Sequence, residues 1–326
     1  MTTHFPGRCF AFDQFGPLSI RPCHRAAWAS HTGGMAADAG GPPAAAPSVQ
    51  LLGFAPDARV LIINSDDFGM YHAINAAVLA SITEGIASSC SLMVPCPAAR
   101  HAMHLLRQHP QIPFGIHLTL VCDTPCHRWG PLTAKEKVPS LLDETGALFT
   151  PAEIPRLLTR ARRYEVELEF RAQIDAVASA GLTPTHLDWH CLADGGRRDI
   201  FDLTLALARE HGLAMRAWLS PGRQKLRRQG LPAVDHDFLD SFRLDIDTKP
   251  AQYAALMQDL PPGLTEWAVH PGLGNEQSQA TDPGGWRVRW TDYQFLTSPQ
   301  AKQLLQQEGI AVIDYRTIQL AWSQTR

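Results

Sequence analysis

The chain has 326 residues, a formal net charge of -3 and 45% hydrophobic residues. These values are typical of a globular protein, and they exclude the strongly basic surface by which proteins bind nucleic acids or anionic membranes. No apolar run approaches the roughly 20 residues that a membrane-spanning helix needs. The seven cysteines form no CxxC pair, which favours a cytoplasmic location over a disulfide-stabilised secreted scaffold.

The N-terminal part of the chain differs in composition from the remainder. Residues 1–50 are rich in Gly, Pro, Ala and Ser and lack hydrophobic periodicity. We therefore predict a disordered extension over residues 1–57 and one (β/α) domain over residues 58–326. No apolar segment follows Arg8 as a secretory signal would require, and Met35 is an alternative start.

From residue 58 onward, short apolar runs alternate with helical patterns. In chain order we predict strand 60–64, helix 71–85, strand 88–94, helix 97–109, strand 114–120, an insertion at 121–150, helix 160–180, strand 185–189, helix 198–212, strand 214–219, helix 250–260, strand 264–269, helix 299–309 and strand 310–314. The insertion has the position of a lid or substrate loop. Seven strands that mostly alternate with helices favour a closed or distorted (β/α) barrel with mostly parallel strands over an open doubly wound sheet.

Polar residues that bind metals follow the ends of four predicted strands: Asp66 and Asp67, His117, the segment 186–190 with His186, Asp188 and His190, and His270. The C-terminal ends of parallel strands meet at one edge, where catalytic groups converge. One carboxylate and two imidazoles bind a divalent cation and leave positions open for water and substrate. A second carboxylate can accept the proton of the water, and a further histidine can protonate a leaving amine. This set predicts metal-assisted hydrolysis of an amide.

Each of these residues also has a structural interpretation. Asp66 or Asp67 could cap the following helix, although capping explains one aspartate better than two. His117 could be a hydrogen-bonded core histidine, and His270 before Pro-Gly could mark a turn. Within 186–190, alternate residues share one face of a strand, so one could be a ligand and another could orient it.

Six segments resemble the YdjC-like carbohydrate deacetylases in sequence and order: 64–69 (NSDDFG), 115–120 (GIHLTL), 169–174 (EFRAQI), 185–190 (THLDWH), 270–272 (HPG) and 314–316 (DYR). The resemblance covers roughly residues 58 to 318. It implies a distorted (β/α) barrel related to the polysaccharide deacetylases. It also implies an enzyme that removes acetyl groups from N-acetylated sugars with one divalent metal ion, Mg or Zn.

The resemblance also implies residue roles. Asp67, His117 and His190 would be the metal ligands, Asp66 the general base and His270 the general acid. The residues by themselves do not choose between the two aspartates. Members of this family are often homodimers, so a homodimer is a further expectation.

The sequence departs from the family pattern after His190. The family commonly continues with further histidines, whereas this chain reads CLADGG over 191–196, and Trp189 stands where a small residue is more usual. We expect this change to alter the wall that faces the substrate. Arg287 and Arg289 could bind an anionic substrate group, but a solvated surface position is the simpler expectation.

Two other functions fit part of the pattern. Two histidines and one carboxylate also form the facial triad of non-haem iron oxygenases. Asp66 is superfluous in such an oxygenase, and the parallel strand–helix alternation is unusual for it. A non-catalytic, metal-containing sugar-binding barrel is the second alternative, and the complete set of base, ligands and acid argues against it.

Overall fold

The computed structural model describes residues 47–123, 128–237 and 239–325. Its strands are β1 (Arg59–Phe68), β2 (Ser89–Leu92), β3 (Phe114–Leu118), β4 (His186–Trp189), β5 (Ala214–Met215), β6 (Leu239–Asp240), β7 (Gly263–Val269) and β8 (Ala311–Ile313). Its helices are α1 (Ser48–Leu51), α2 (His72–Thr83), α3 (Ala99–Gln108), α4 (Ile154–Arg160), α5 (Arg163–Ser179), α6 (Arg198–His211), α7 (Ser220–Arg227), α8 (Lys249–Gln258), α9 (Glu276–Thr281), α10 (Trp286–Leu296), α11 (Pro299–Gln307) and α12 (Tyr315–Ser323). None of these helices combines the length and apolar character needed to cross a membrane.

All strand pairs are parallel, and the strand order is β5-β4-β3-β2-β1-β7-β6, with β8 also beside β1. Strand β7 pairs along β1 from Arg59 to Ser65, so β8 and β2 share the opposite side of β1. The prediction of a distorted (β/α) barrel with mostly parallel strands is confirmed. The closed form is wrong for the described residues, because β5 and β6 are edge strands that do not pair with each other; the sheet is a curled half-barrel.

Strand β1 is buried on both faces, which explains its continuous run of aliphatic residues. Val60 and Ile62 belong to the larger hydrophobic core, whereas Leu61 and Ile63 belong to a second core. This alternation follows from the two-residue period of a strand. The two cores therefore fix β1 at the centre of the sheet, and its C-terminal end carries the two aspartates.

The predicted elements differ from the structure in a few places. The expected strand 214–219 is only the two-residue β5, whereas the expected helix 160–180 corresponds to α5, which begins at Arg163 after the separate helix α4. Residues 221–247, for which we predict no element, contain most of α7 and all of β6. Helices α10 and α12 were not predicted either, although the buried residues Tyr315, Ile318 and Trp322 of α12 do follow a helical spacing.

The packed domain extends further toward the N-terminus than residue 58. The backbone N–H groups of Ser48 and Val49 donate hydrogen bonds to the Asp235 carboxylate, at 2.9 and 3.3 Å. Both residues are buried. The described part of the predicted extension thus includes helix α1, while the disorder predicted for residues 1–46 concerns residues outside the described range.

The insertion at 121–150 packs against the domain through buried acidic side chains of α5. Glu169 accepts hydrogen bonds from the backbone N–H groups of Leu132 and Thr133, and Glu165 accepts one from Ser140. These bonds satisfy backbone donors that would otherwise be buried without partners. The described part of the insertion is therefore held by α5, and its first residues lie next to the candidate site.

Candidate active site

A bulge in β1 brings Asp66 and Asp67 to the same site. The register between β1 and β2 shifts between Ser65 and Phe68, and Asp67 has a left-handed φ of 66°. In a regular strand, neighbouring side chains point to opposite faces, whereas a bulge redirects one of them. The Nε2 atom of His117 consequently lies 3.9 Å from Asp66 Oδ2 and 3.5 Å from Asp67 Oδ1.

Asp67, His117 and His190 form one buried cluster. One ligand atom from each of the three side chains lies within 4.8 Å of the others, and His190 Nδ1 is 3.1 Å from Asp67 Oδ1. A carboxylate with two imidazoles is a donor set that binds divalent cations such as zinc. The three residues expected to be ligands are thus brought together in a cluster that fits a metal ion.

Asp188 orients His117. The Nδ1 atom of His117 lies 2.9 Å from Asp188 Oδ1, and Asp188 Oδ2 accepts a 2.6 Å hydrogen bond from the Ser91 hydroxyl. Burial lowers the pKa of His117, but Asp188 and Asp66 outweigh that effect and raise the pKa to about 9. Because Nδ1 is directed at Asp188, Nε2 is the nitrogen that faces the aspartates and remains for a metal.

His186 has a structural position. Its ring stacks on Tyr315 with 3.6 Å between the ring centroids, and its Nδ1 is 2.9 Å from Thr185 Oγ1. Burial lowers the pKa of His186 to about 3, so the ring is neutral. A side chain at Gly115 would overlap this ring, which accounts for a glycine in β3. Of the three polar residues in β4 and its end, Asp188 and His190 reach the cluster.

Asp66 is held by a buried arginine. Arg216 donates to both carboxylate oxygens of Asp66, at 2.8 and 2.9 Å, and Asn64 Nδ2 donates to Oδ1 at 2.6 Å. Burial raises the pKa of Asp66, but Arg216 and His117 outweigh it, so the pKa lies below the usual value. Asp66 is therefore held ionised and in a fixed orientation.

Sequence reasoning missed Arg216, which follows β5. Besides Asp66, it contacts Asp188 at 2.9 Å and Glu266 at 2.8 Å, and it is only 1% exposed. Three carboxylates around one guanidinium leave excess negative charge, and burial raises the pKa of Glu266 to about 7. The available signal was an arginine inside the apolar run 213–219. Such a run predicts burial, and a buried charge requires partners.

A second buried arginine, Arg289 of α10, holds Asp67. Its Nη1 donates to Asp67 Oδ2 at 2.8 Å, and its Nε donates to Asp282 at 2.9 Å. The surface position expected for Arg289 is wrong, because Arg289 is 2% exposed. Arg287 does lie at the surface, with 56% of its side chain exposed and an ion pair to Asp247.

The departure from the family pattern lies on the outer side of His190. The Nε2 atom of His190 is 3.3 Å from Cys191 Sγ and 3.5 Å from Asp123 Oδ1. Cys191 is exposed and has a left-handed φ of 58°. This edge of the site therefore presents a thiol and a carboxylate from the start of the insertion.

His270 lies at the same rim as the aspartates. Val269 of β7 pairs with Ser65 of β1. The next residues along the two chains, His270 and Asp66, therefore lie at the same level of the sheet. The His270 ring packs edge-on against Phe242, with 4.8 Å between centroids, and its Nδ1 is 2.9 Å from the Ser241 hydroxyl. The guanidinium of Arg289 also contacts Phe242, so this ring links His270 to the Asp67 cluster.

Comparisons with known proteins show which family this chain resembles. The sequence profile of the family described as "YdjC-like protein" matches residues 60–307. A carbohydrate deacetylase of Geobacillus stearothermophilus is 33% identical over 262 residues, which cover 79% of this chain and 97% of that protein. One of Thermus thermophilus is 32% identical over 76% of this chain and 89% of that protein. The crystal structure of a putative cellobiose-phosphate cleavage protein from Enterococcus faecalis has a TM-score of 0.69 and 25% identity, covering 80% of this chain and 99% of that one.

Proposed function

Because the chain belongs to the YdjC-like protein family, we propose that it is a metal-dependent carbohydrate deacetylase, which removes acetyl groups from N-acetylated sugars. Carbohydrate deacetylase activity follows from the curated relatives, which match nearly their whole length. The observation that carries the metal-dependent mechanism is the buried cluster of Asp67, His117 and His190 beside the separately held Asp66.

In this proposal Asp67, His117 and His190 bind one divalent cation, with Zn or Mg as the candidates. Two imidazoles favour Zn, while the carboxylate is compatible with either. Bound by these residues, a divalent cation would supply Lewis-acid chemistry, that is, polarisation of the acetyl carbonyl and a lower pKa for the attacking water. Asp188 fixes the ring of His117 so that Nε2 faces the cation.

The chain's own groups then move the protons. Asp66 accepts the proton of the attacking water, and Arg216 keeps its carboxylate ionised and oriented. His270 donates a proton to the sugar amine as the amide C–N bond breaks. A base and an acid on separate strands can lie on the two sides of the reacting carbonyl, as general acid–base catalysis requires.

The two alternatives receive less support. A facial-triad oxygenase has no use for Asp66, yet Arg216, Asn64 and the bulge all maintain that carboxylate at the site. A non-catalytic sugar-binding barrel needs neither Asp66 nor His270. A cytoplasmic location and a homodimer stay predictions.

Acetate release tests the proposal directly. Purified protein should release acetate from N-acetylated amino-sugar oligomers, lose this activity after chelation, and regain it when Zn or Mg is added. Persistence of full activity after verified metal removal would contradict the metal-dependent mechanism. Absence of acetate release across a panel of acetylated sugars, at any metal loading, would contradict the function itself.

A further inference from the structure

Behind His270 lies a buried polar network that the proposed mechanism has not used. Ser241 Oγ is 2.9 Å from His270 Nδ1 and donates to Asp292 Oδ2 at 2.5 Å. Asp292 Oδ2 also accepts a 2.8 Å hydrogen bond from the backbone N–H of His270. The Ser241 and Asp292 side chains are fully buried. These contacts tie one residue of α10 to the strand end that carries His270.

The other oxygen of Asp292 is saturated as well. Tyr253 OH donates to Asp292 Oδ1 at 2.8 Å, and the Lys249 ammonium lies 2.5 Å from the same oxygen. Lys249 and Tyr253 are completely buried. Burial, with Asp292 beside it, raises the pKa of Tyr253 well above its usual value, so the phenol keeps its proton. Asp292 thus faces four donors, two at each oxygen, and one of the four is the Lys249 ammonium.

This arrangement determines where the proton of Ser241 lies. A serine hydroxyl has one proton, and each Asp292 oxygen already faces two donors, so Asp292 acts as an acceptor toward Ser241. The proton of Ser241 is therefore committed to Asp292, and Ser241 can only accept a hydrogen bond from His270 Nδ1. In a neutral imidazole with a proton on Nδ1, the lone pair is on Nε2.

We propose that Ser241 and Asp292 are positioning residues that fix His270 as the Nδ1–H tautomer, so that Nε2 is the atom that holds and releases the catalytic proton. This inference rests on the proposed deacetylation. In the imidazolium form both nitrogens carry protons, and Nδ1–H stays bound to Ser241. The Nε2 proton moves to the leaving nitrogen as the C–N bond breaks, and the ring is left in the tautomer that the network already stabilises.

Other charged groups near His270 do not change this conclusion. Asp240 Oδ1 is 3.9 Å from His270 Nδ1, which is too long for a hydrogen bond but favours a proton on the same nitrogen. Arg289 approaches from α10, but its guanidinium stacks on Phe242 and pairs with Asp67 and Asp282.

The first test is spectroscopic and does not depend on activity. The protein contains 14 histidines, and long-range ¹H–¹⁵N spectra of histidine-labelled protein separate the two neutral tautomers. The signals of His270 are identified by their loss in His270→Gln. We expect the Nδ1–H tautomer in the parent protein and loss of that preference in Ser241→Ala. An Nε2–H tautomer in the parent, or an unchanged tautomer in Ser241→Ala, overturns the proposal.

The second test separates positioning from a purely structural role. Ser241→Ala should lower kcat for an N-acetylated amino sugar about 10- to 100-fold, with KM changed less than about twofold. Turnover of p-nitrophenyl acetate should fall far less, because that leaving group needs little protonation. Equal losses on both substrates would contradict the proposal.

The matched control is Ser81→Ala, which also removes a buried serine hydroxyl. Ser81 Oγ has no hydrogen-bond partner, and Ser81 lies on α2 and takes no part in the hydrogen bonds behind His270. We expect both kinetic ratios and the tautomer to stay as in the parent. If no acetylated sugar is hydrolysed, the proposed function fails, whereas the tautomer measurement still decides the state of His270.

Discussion

Asp66 and Asp67 are adjacent in the chain, but each carboxylate lies in a different electrostatic environment. Asp66 belongs to the Arg216 side of the site, where Arg216 contacts Asp66, Asp188 and Glu266. Asp67 belongs to the Arg289 side, where Arg289 contacts Asp67 and Asp282. The Arg216 guanidinium thus contacts three carboxylates, whereas the Arg289 guanidinium contacts two.

The difference favours different roles for the two aspartates. Asp66 Oδ1 receives donors from both Asn64 and Arg216, and Oδ2 receives Arg216. Asp67 leaves Oδ1 directed at the two histidine rings, while Arg289 contacts only Oδ2. Asp67 Oδ1 is therefore available to a cation, whereas both oxygens of Asp66 pair with Arg216 and only Oδ2 keeps a lone pair for a proton. This contrast supports Asp67 as the ligand and Asp66 as the base.

The largest expected effect comes from neutralising the two aspartates separately. Asp66→Asn should lower kcat for acetate release by about 10³-fold while metal content stays near the parent value, because it removes only the proton acceptor. Asp67→Asn should lower both activity and metal content, because it removes a ligand. Activity assays and metal analysis of the purified variants measure both effects.

The exposed Asp57→Asn is the matched control and should resemble the parent in both measurements. Full activity of Asp66→Asn would contradict the proposed mechanism. If Asp66→Asn lost the metal and Asp67→Asn kept it, Asp66 would be the metal ligand and Asp67 the base.

Arginine-to-lysine substitutions should separate the two sides next. Lysine keeps the charge but cannot make the bidentate contact of a guanidinium. Arg216→Lys should lower kcat about 10²-fold, because Asp66 loses its fixed orientation. Arg289→Lys should lower kcat by no more than about tenfold, because Asp67 Oδ1 keeps its histidine contacts. Similar losses of kcat in Arg216→Lys and Arg289→Lys would contradict the proposed difference between the Arg216 side and the Arg289 side.

Glu266 should make stability depend on pH on the Arg216 side. Its folded-state pKa is about 7 against 4.5 for the ordinary group, so between these values the folded state holds a proton that the unfolded state has lost. The free energy of unfolding should therefore decrease as pH rises from about 4.5 to about 7, by up to about 3 kcal/mol. Denaturant titrations at several pH values should show a flatter profile for Glu266→Gln. The exposed Glu136→Gln should keep the parent profile, and an equally steep profile for Glu266→Gln would contradict the prediction.

The smallest expected effect concerns the packing of Gly115 in β3 against the ring of His186. A methyl group at Gly115 would overlap the His186 ring, which lies between β3 and Tyr315. Gly115→Ala should lower the free energy of unfolding by about 2 kcal/mol, as overpacking of a buried site does. Gly284→Ala adds a methyl group in open space and should have little effect. Equal thermal stability of the two variants would show that the site accommodates the methyl group.

Most of the fold could be predicted, because its signals are local. The buried runs of β1 and β7 and the amphipathic pattern of α6 are readable within a dozen residues. The short β5 could not be predicted from the apolar run 214–219, because that run continues past the point where Arg216 turns into the site. Arg216 follows the last residue of the strand, and its side chain pairs with Asp66.

The candidate site shows the same division. The sequence indicated Asp66, Asp67, His117, His190 and His270, because each lies in or just after a recognisable strand, near the same edge of the sheet. It gave no partner for them, since Arg216 is 150 residues from Asp66 and Arg289 is 222 residues from Asp67. It also left Asp292 and Ser241 unrecognised, because nothing near them in the chain resembles a site.

By itself, the sequence determined a parallel β/α architecture, the family of the protein and the residues that meet at one rim. Only the tertiary structure decided which arginine each aspartate contacts, that His186 is a neutral core residue, and that Asp292 lies behind His270. The physical reason is that strand and helix patterns depend on neighbouring residues. The charge state and orientation of a buried side chain depend on partners that the fold brings from distant parts of the chain.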